Sequence, residues 1–213
     1  MLNLVIAIPL LLILLFRGWL WKQRKEGFPF DAILLILGVV AVRTGINIDL
    51  ILVSISIGIP LWLPCAAYLF LNIRSHTDYF ISTENIFGSA LIGIIIGLAI
   101  GYFIDSISGY PHQSVGVSIW IYECLTAFGE ELFFRSILLG LMKKVGIRSW
   151  VSILIQASIF LLGHLNYFHS QNWIALSGVL LVGLSCGWIT LKYRNITGAI
   201  FLHAIYNLFF LIS

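Results

Sequence analysis

The sequence predicts an all-α, polytopic transmembrane helix bundle of about eight spans. Hydrophobic residues make up 60% of the 213 residues and charged residues only 10%, and the mean hydropathy is +1.03. Soluble domains are nearer a quarter charged, so this chain has too little polar surface to face water on all sides. Several apolar stretches also approach the roughly 20 residues that a helix needs to cross a bilayer. We therefore predict an integral, multi-pass membrane protein with the lipid bilayer as a partner.

Eight apolar stretches are separated by short breaks that contain basic residues, glycine or proline. The first lacks a basic leader and a small-residue cleavage site, which favours a retained span over a signal peptide. The second is short, so seven spans are also compatible with the pattern. The eight stretches are 2–16, 30–43, 49–71, 88–106, 117–142, 149–168, 173–191 and 196–213.

The distribution of basic residues predicts that the N-terminus lies outside. With that orientation ten Lys and Arg residues fall in cytoplasmic loops, and only Arg43 falls on the outer side, which is the bias expected of a membrane protein. The ten are Arg17, Lys22, Arg24, Lys25, Arg74, Lys143, Lys144, Arg148, Lys192 and Arg194. They indicate topology and give no indication of nucleic acid as a partner. Small size and short loops favour a prokaryotic cytoplasmic membrane.

The chain reads as one transmembrane domain over residues 1–213. Residues 1–116 form N-terminal spans whose sequence indicates no specific function. The side chains that could take part in catalysis lie in a catalytic core over residues 117–213. Six strongly polar side chains occur there within apolar spans. Each ionisable group costs at least about 2.5–3.5 kcal/mol in the bilayer unless it finds a partner or a water-filled cavity. The six must therefore converge: Glu130, Glu131 and Arg135 on the fifth span, His164 on the sixth, and His203 and Asn207 on the eighth.

Helical spacing predicts which of these side chains meet. Glu131 and Arg135 are four residues apart and can form an ion pair. Glu130 is rotated about 100° from Glu131, so it is free to point elsewhere in the bundle. We expect Glu131 and Arg135 to form a structural lock that leaves Glu130, with the histidines and the asparagine, around one cavity.

Such a cavity has the groups of a hydrolytic site. A carboxylate next to a histidine can act as a general base on water, and imidazole and carboxamide donors can stabilise an oxyanion. Zinc held by Glu130, His164 and His203 is an alternative, although the compact H-E-x-x-H arrangement is absent. No histidine lies at a spacing that would activate Cys124 as a nucleophile. We expect no cofactor.

Three motifs resemble the CAAX-protease and bacteriocin-processing (CPBP, or Abi) family of intramembrane proteases. They are Glu130-Glu131-x-x-x-Arg135, Phe160-x-x-x-His164 and His203-x-x-x-Asn207, in that order on successive helices. The resemblance covers about residues 117–213 and implies an intramembrane endopeptidase. It implies that Glu130 activates water with His164, that His203 and Asn207 form the oxyanion hole, and that Glu131 and Arg135 support the site. Ser136 stands where the family commonly has glycine.

Other functions remain compatible with the same residues. A non-enzymatic bacteriocin-immunity or scaffolding protein could use the polar cluster for binding, whereas a transporter would spread its polar groups along a pathway. For a protease, the expected substrate is a peptide or membrane protein, such as a prenylated protein, a peptide pheromone, a bacteriocin leader or a membrane anchor.

The depths of the motif residues differ when they are measured from the nearest basic loop. At about 1.5 Å per residue they are roughly 18–20 Å for Glu130, 24 Å for His164 and 13 Å for His203. They agree only if the hairpin of the fifth and sixth spans tilts or extends beyond the membrane plane. We expect that it does, and that the cavity opens toward the cytoplasmic side.

Overall fold

The computed structural model describes residues 4–23, 25, 29, 31–37, 58–72, 78–108, 116–164 and 172–212. All regular secondary structure within these ranges is helical. Its α-helices are α1 (Leu4–Lys22), α2 (Gly58–Leu71), α3 (Ile86–Ser108), α4 (Val117–Glu131), α5 (Leu139–Lys144), α6 (Ser149–Leu162), α7 (Trp173–Tyr193) and α8 (Thr197–Ile212). Residues 31–37 are also helical. Parts of the predicted spans lie outside the described residues, among them 38–43, 49–57 and 165–168.

The prediction of an all-α protein is confirmed for the described residues. Two helices, α3 and α7, are long and apolar enough to cross a membrane, with mean hydropathies of 2.2 and 2.0. The shorter helix α6 is also apolar. Eight spans and an external N-terminus stay predictions.

The first helix corrects one detail of the predicted topology. It continues to Lys22, so Arg17 lies inside α1 and not in a loop after residue 16. Arg17 is buried, and its Nε and Nη2 donate to Oδ1 of Asp31 at 3.2 and 2.9 Å. Asn72 donates to the other carboxylate oxygen of Asp31 at 2.8 Å. Arg17 therefore ties α1 to later segments and does not count as a loop residue.

Close packing of α3 against α8 fixes the helix that carries His203 and Asn207. Gly93, Gly97 and Gly101 recur every four residues along the buried face of α3. A Cβ at Gly93 would overlap the backbone of Gly198, and one at Gly97 would lie 2.9 Å from the carbonyl oxygen of Leu202. Small residues let helix backbones approach closely in membranes, where lipid is as apolar as the side chains. The glycine face of α3 therefore determines where α8 lies.

Helices α5, α6 and α7 meet at one end of the bundle. Lys143 and Lys144 at the end of α5, Ser149 at the start of α6 and Arg194 after α7 line one pocket. We call this the basic end. Because α6 runs away from it and α7 returns to it, the end of α6 and the start of α7 lie at the opposite end.

Candidate active site

A π-helical segment follows the two glutamates. Glu131 is the last residue of α4, and the chain continues as a π-helix over Leu132–Leu138 before α5. All seven of its residues are buried. The fifth span was predicted as one regular helix, so the sequence analysis missed this segment. π-Helical turns are rare and occur frequently at functional sites.

Ser136, at the position where the family commonly has glycine, makes a contact that glycine could not make. Its Oγ donates a hydrogen bond to the carbonyl oxygen of Tyr79 at 2.6 Å, and its side chain is fully buried. The hydroxyl therefore connects the π-helix to the segment that precedes α3.

The ion pair expected from helical spacing is present. Nη1 of Arg135 lies 2.9 Å from Oε1 of Glu131, and neither side chain is exposed. The N–H is not aligned as a hydrogen bond, so the attraction is chiefly between charges. The guanidinium carbon also lies 4.4 Å from the ring centroid of Phe160 and 5.8 Å from that of Phe134. One carboxylate and two aromatic rings thus compensate the buried cation.

His203 joins the two glutamates. Its Nδ1 lies 2.8 Å from Oε1 of Glu131, and its Nε2 lies 3.8 Å from Oε2 of Glu130. The side chains of His203 and Glu130 are 4% and 23% exposed. The same oxygen of Glu131 therefore lies next to both Arg135 and His203. The histidine comes from α8, and helical phase within α4 could not predict that contact.

Phe160 lies between the two histidines. Its ring centroid is 4.9 Å from that of His164 and 5.4 Å from that of His203. Nδ1 of His164 lies 3.0 Å from the carbonyl oxygen of Phe160. A carbonyl oxygen only accepts, so Nδ1 carries the proton. The Nε2 of a neutral His164 is therefore a hydrogen-bond acceptor.

A cavity of about 40 Å³ lies between α6, α7 and α8. This volume is enough for a water molecule. Three of the predicted catalytic residues line the cavity. Glu130, which was expected at the same cavity, is not among the lining residues and is related to it through His203, whose Nε2 lies 3.8 Å from its carboxylate. The lining residues are Phe160, His164, Val179, Val182, His203, Tyr206 and Asn207.

The cavity lies away from the basic end. His164 follows the last residue of α6, Val179 is in the first half of α7, and Asn207 is in the second half of α8. All three positions are on the side of the opposite end. The lining residues therefore lie toward the end of the helices opposite the basic end, and the side of the membrane to which the cavity opens stays a prediction.

Glu123 is a site residue that the sequence analysis missed. Nδ2 of Asn207 donates to Oε2 of Glu123 at 3.1 Å, and this carboxylate is half-buried. Glu123 precedes Glu130 by seven residues, or two helical turns, so both lie on similar faces of α4. His203 and Asn207 are four apart on α8. The signal that could have identified Glu123 is its charge, because it is a further carboxylate within the apolar stretch 117–142.

The zinc alternative would need three protein ligands grouped around one ion. Across the described ranges, no three His, Cys, Asp or Glu side chains are grouped as ligands for one metal ion. The set expected for zinc, Glu130, His164 and His203, lies within those ranges. Cys124 is exposed on α4, whereas Cys65 and Cys186 are buried.

Comparison with known proteins identifies the region that holds this site. Residues 112–209 match the model of the family described as type II CAAX prenyl endopeptidase Rce1-like. The match contains all six motif residues and Glu123. No curated protein and no solved structure matches the chain. The Rce1-like family is membrane-embedded, in agreement with the apolar helices. The resemblance predicted from the three motifs is thereby confirmed for residues 112–209, a little under half of the chain, which match the Rce1-like group of CAAX proteases.

Proposed function

We propose that this protein is an intramembrane endopeptidase of CAAX-protease type that uses water activated by Glu130. The observation that carries the proposal is the position of His203, which lies between Glu130 and Glu131 within the matched region. The substrate is a peptide or a membrane protein, and the reaction uses no metal or other cofactor.

In the proposed reaction, Glu130 takes a proton from water while the water oxygen bonds to the carbonyl carbon of the scissile amide. Nε2 of His164 accepts a hydrogen bond from the same water and holds it in position. The carbonyl oxygen becomes an oxyanion. When the C–N bond breaks, Glu130 returns the proton to the leaving amine nitrogen, which restores the carboxylate.

His203 and Asn207 donate to the oxyanion in this proposal. Nδ1 of His203 already donates to Glu131, so only a protonated ring has an N–H left on Nε2 for the substrate. The Glu131 carboxylate stabilises that imidazolium, as the buried carboxylate does in a Ser-His-Asp triad. Arg135 acts through Glu131, because it keeps the carboxylate in place.

The first prediction concerns Glu130. Glu130→Gln keeps the side-chain size and removes the base, so we expect at least a roughly 100-fold loss of peptide-bond cleavage. Proteomic comparison of cells that carry wild type or Glu130→Gln should reveal an uncut precursor that accumulates only with the variant. Glu84→Gln is the matched control, because Glu84 is exposed and lies outside the matched region.

The proteomic comparison also tests the binding alternative. If cells with Glu130→Gln process every membrane and secreted peptide as wild type does, the protease proposal is wrong. A preserved biological effect in that case would favour the immunity or scaffolding function.

A further inference from the structure

Each proposed oxyanion donor has a carboxylate of α4 behind it. Oε1 of Glu131 lies 2.8 Å from Nδ1 of His203, and Oε2 of Glu123 lies 3.1 Å from Nδ2 of Asn207. The two acceptors are eight residues apart on α4, and the two donors are four apart on α8. The helix with the glutamates therefore supports both donors of its neighbour.

The contact with Glu123 decides which end of the Asn207 amide faces the cavity. An ionised carboxylate only accepts hydrogen bonds, so it selects the NH₂ end of the carboxamide and repels its carbonyl oxygen. One N–H of Nδ2 is then held by Glu123, and the second N–H remains for a ligand. An amide rotated by 180° would instead direct a carbonyl oxygen at the site of the developing negative charge.

We propose that Glu123 is a positioning residue that fixes the carboxamide of Asn207 with an N–H directed at the substrate carbonyl. This inference rests on the proposed protease function. Neither the CAAX-type motifs nor the spacing of the six polar residues includes Glu123. Its role is to act through Asn207, as outer partners fix the ligands of metal sites.

The negative charge of Glu123 works against the benefit of its hydrogen bond to Asn207. A carboxylate near the oxyanion raises its energy, whereas the hydrogen bond to Asn207 lowers it by orienting the donor. Because Glu123 is half-buried, solvent screens part of the charge, while the direction of the hydrogen bond is unaffected. We therefore infer that orientation dominates, and a variant that keeps an acceptor oxygen without charge separates the two effects.

The test uses Glu123→Met and Glu123→Gln, which are similar in length but differ in having an acceptor oxygen. The probe is a fluorogenic peptide that spans the cleavage site found by a proteomic comparison of cells with and without the protein. We expect Glu123→Met to lower kcat by about 10- to 100-fold with KM unchanged, less than the roughly 100- to 1,000-fold effect of deleting an oxyanion donor. Glu123→Gln should recover most of the kcat. Cys124→Ala, an exposed neighbour on α4, is the control and should keep wild-type kcat and KM.

A double-mutant comparison distinguishes positioning from general damage. If Glu123 acts through Asn207, then Glu123→Met combined with Asn207→Ala should be no slower than Asn207→Ala alone. Multiplied losses, a change in KM alone, or wild-type kcat for Glu123→Met would overturn the inference. If Glu123→Met does not fold, Glu123→Ala takes its place in both comparisons.

Glu130→Gln in the same assay separates this inference from the proposed function. Full activity of Glu130→Gln would remove the protease mechanism itself. An inactive Glu130→Gln beside a fully active Glu123→Met would leave the mechanism intact and reject only the role of Glu123.

Discussion

At the scale of single residues, the unusual feature is a fully buried arginine. Arg135 is compensated by Glu131 and by the rings of Phe160 and Phe134. A buried ion pair is often no more stabilising than apolar residues of similar volume, because both charges lose their hydration. In this protein the ion pair fixes the position of the Glu131 carboxylate. Arg135 holds the carboxylate that in turn holds His203.

Removal of only one charge of this pair should be costly. We expect Arg135→Met to destabilise the protein by about 3–5 kcal/mol, because Glu131 is left buried without its cation. Thermal unfolding in detergent, followed by tryptophan fluorescence, measures the difference.

Lys144→Met is the control for that substitution. Lys144 lies 3.5 Å from Asp78, whose side chain is 46% exposed, and exposed pairs contribute about 0–1 kcal/mol. Equal melting temperatures for the two variants would show that the buried pair has no special role.

The sequence was sufficient to identify the six polar residues, because each is an energetic anomaly in an apolar span. It was also sufficient for the Glu131–Arg135 pair, whose partners are one helical turn apart. It was insufficient for Glu131–His203 and Glu123–Asn207, which join residues 72 and 84 positions apart. Periodicity reports which residues share a face of one helix, and it does not report which faces meet.

At the scale of elements, the positions of helices followed from hydropathy, but their ends and irregularities did not. The π-helix after Glu131 breaks the regular phase of the fifth span, and α1 extends six residues beyond the predicted end at residue 16. Isolated charges usually lie outside spans, so the sequence predicts that the first span ends before Arg17. Its ion pair with Asp31 allows it to lie inside, and that partner is distant in sequence.

The glycine face of α3 gives a prediction at this scale. Gly93→Ala would place a methyl group against the backbone of Gly198 at the start of α8. We expect a loss of about 1–3 kcal/mol in stability, as in overpacked cores, together with reduced cleavage because α8 carries His203 and Asn207. Thermal unfolding and the peptide assay measure the two effects.

Gly88→Ala on the same helix is the matched control. A Cβ there would meet only a side-chain atom of Tyr193 at an ordinary 3.6 Å, and alanine favours a helix over glycine. This variant should be as stable as wild type or slightly more so. If both alanine variants behave alike, close packing of α3 does not determine the position of α8.

At the scale of the whole molecule, the basic end and the cavity lie in different halves of the bundle. Lys143, Lys144 and Arg194 gather where α5 and α7 end, while His164 reaches the cavity beyond the end of α6. This relation fixes the side of the membrane on which the site lies once the orientation of the chain is known.

Cysteine labelling in intact cells tests the predicted orientation. The exposed Cys124 is first replaced by alanine, and Gly116→Cys or Ser149→Cys is then introduced, since both positions are exposed. With the N-terminus outside, a membrane-impermeant maleimide should label Gly116→Cys in intact cells. It should label Ser149→Cys, at the basic end, only after lysis. The reverse pattern would place the N-terminus in the cytoplasm.

The location of the cavity also limits how a precursor could reach it. If the basic end faces the cytoplasm, a precursor must bring its scissile bond to the half of the bundle that lies away from the cytoplasm to meet Glu130. If the basic end faces outward, the same bond would be cut in the cytoplasmic half.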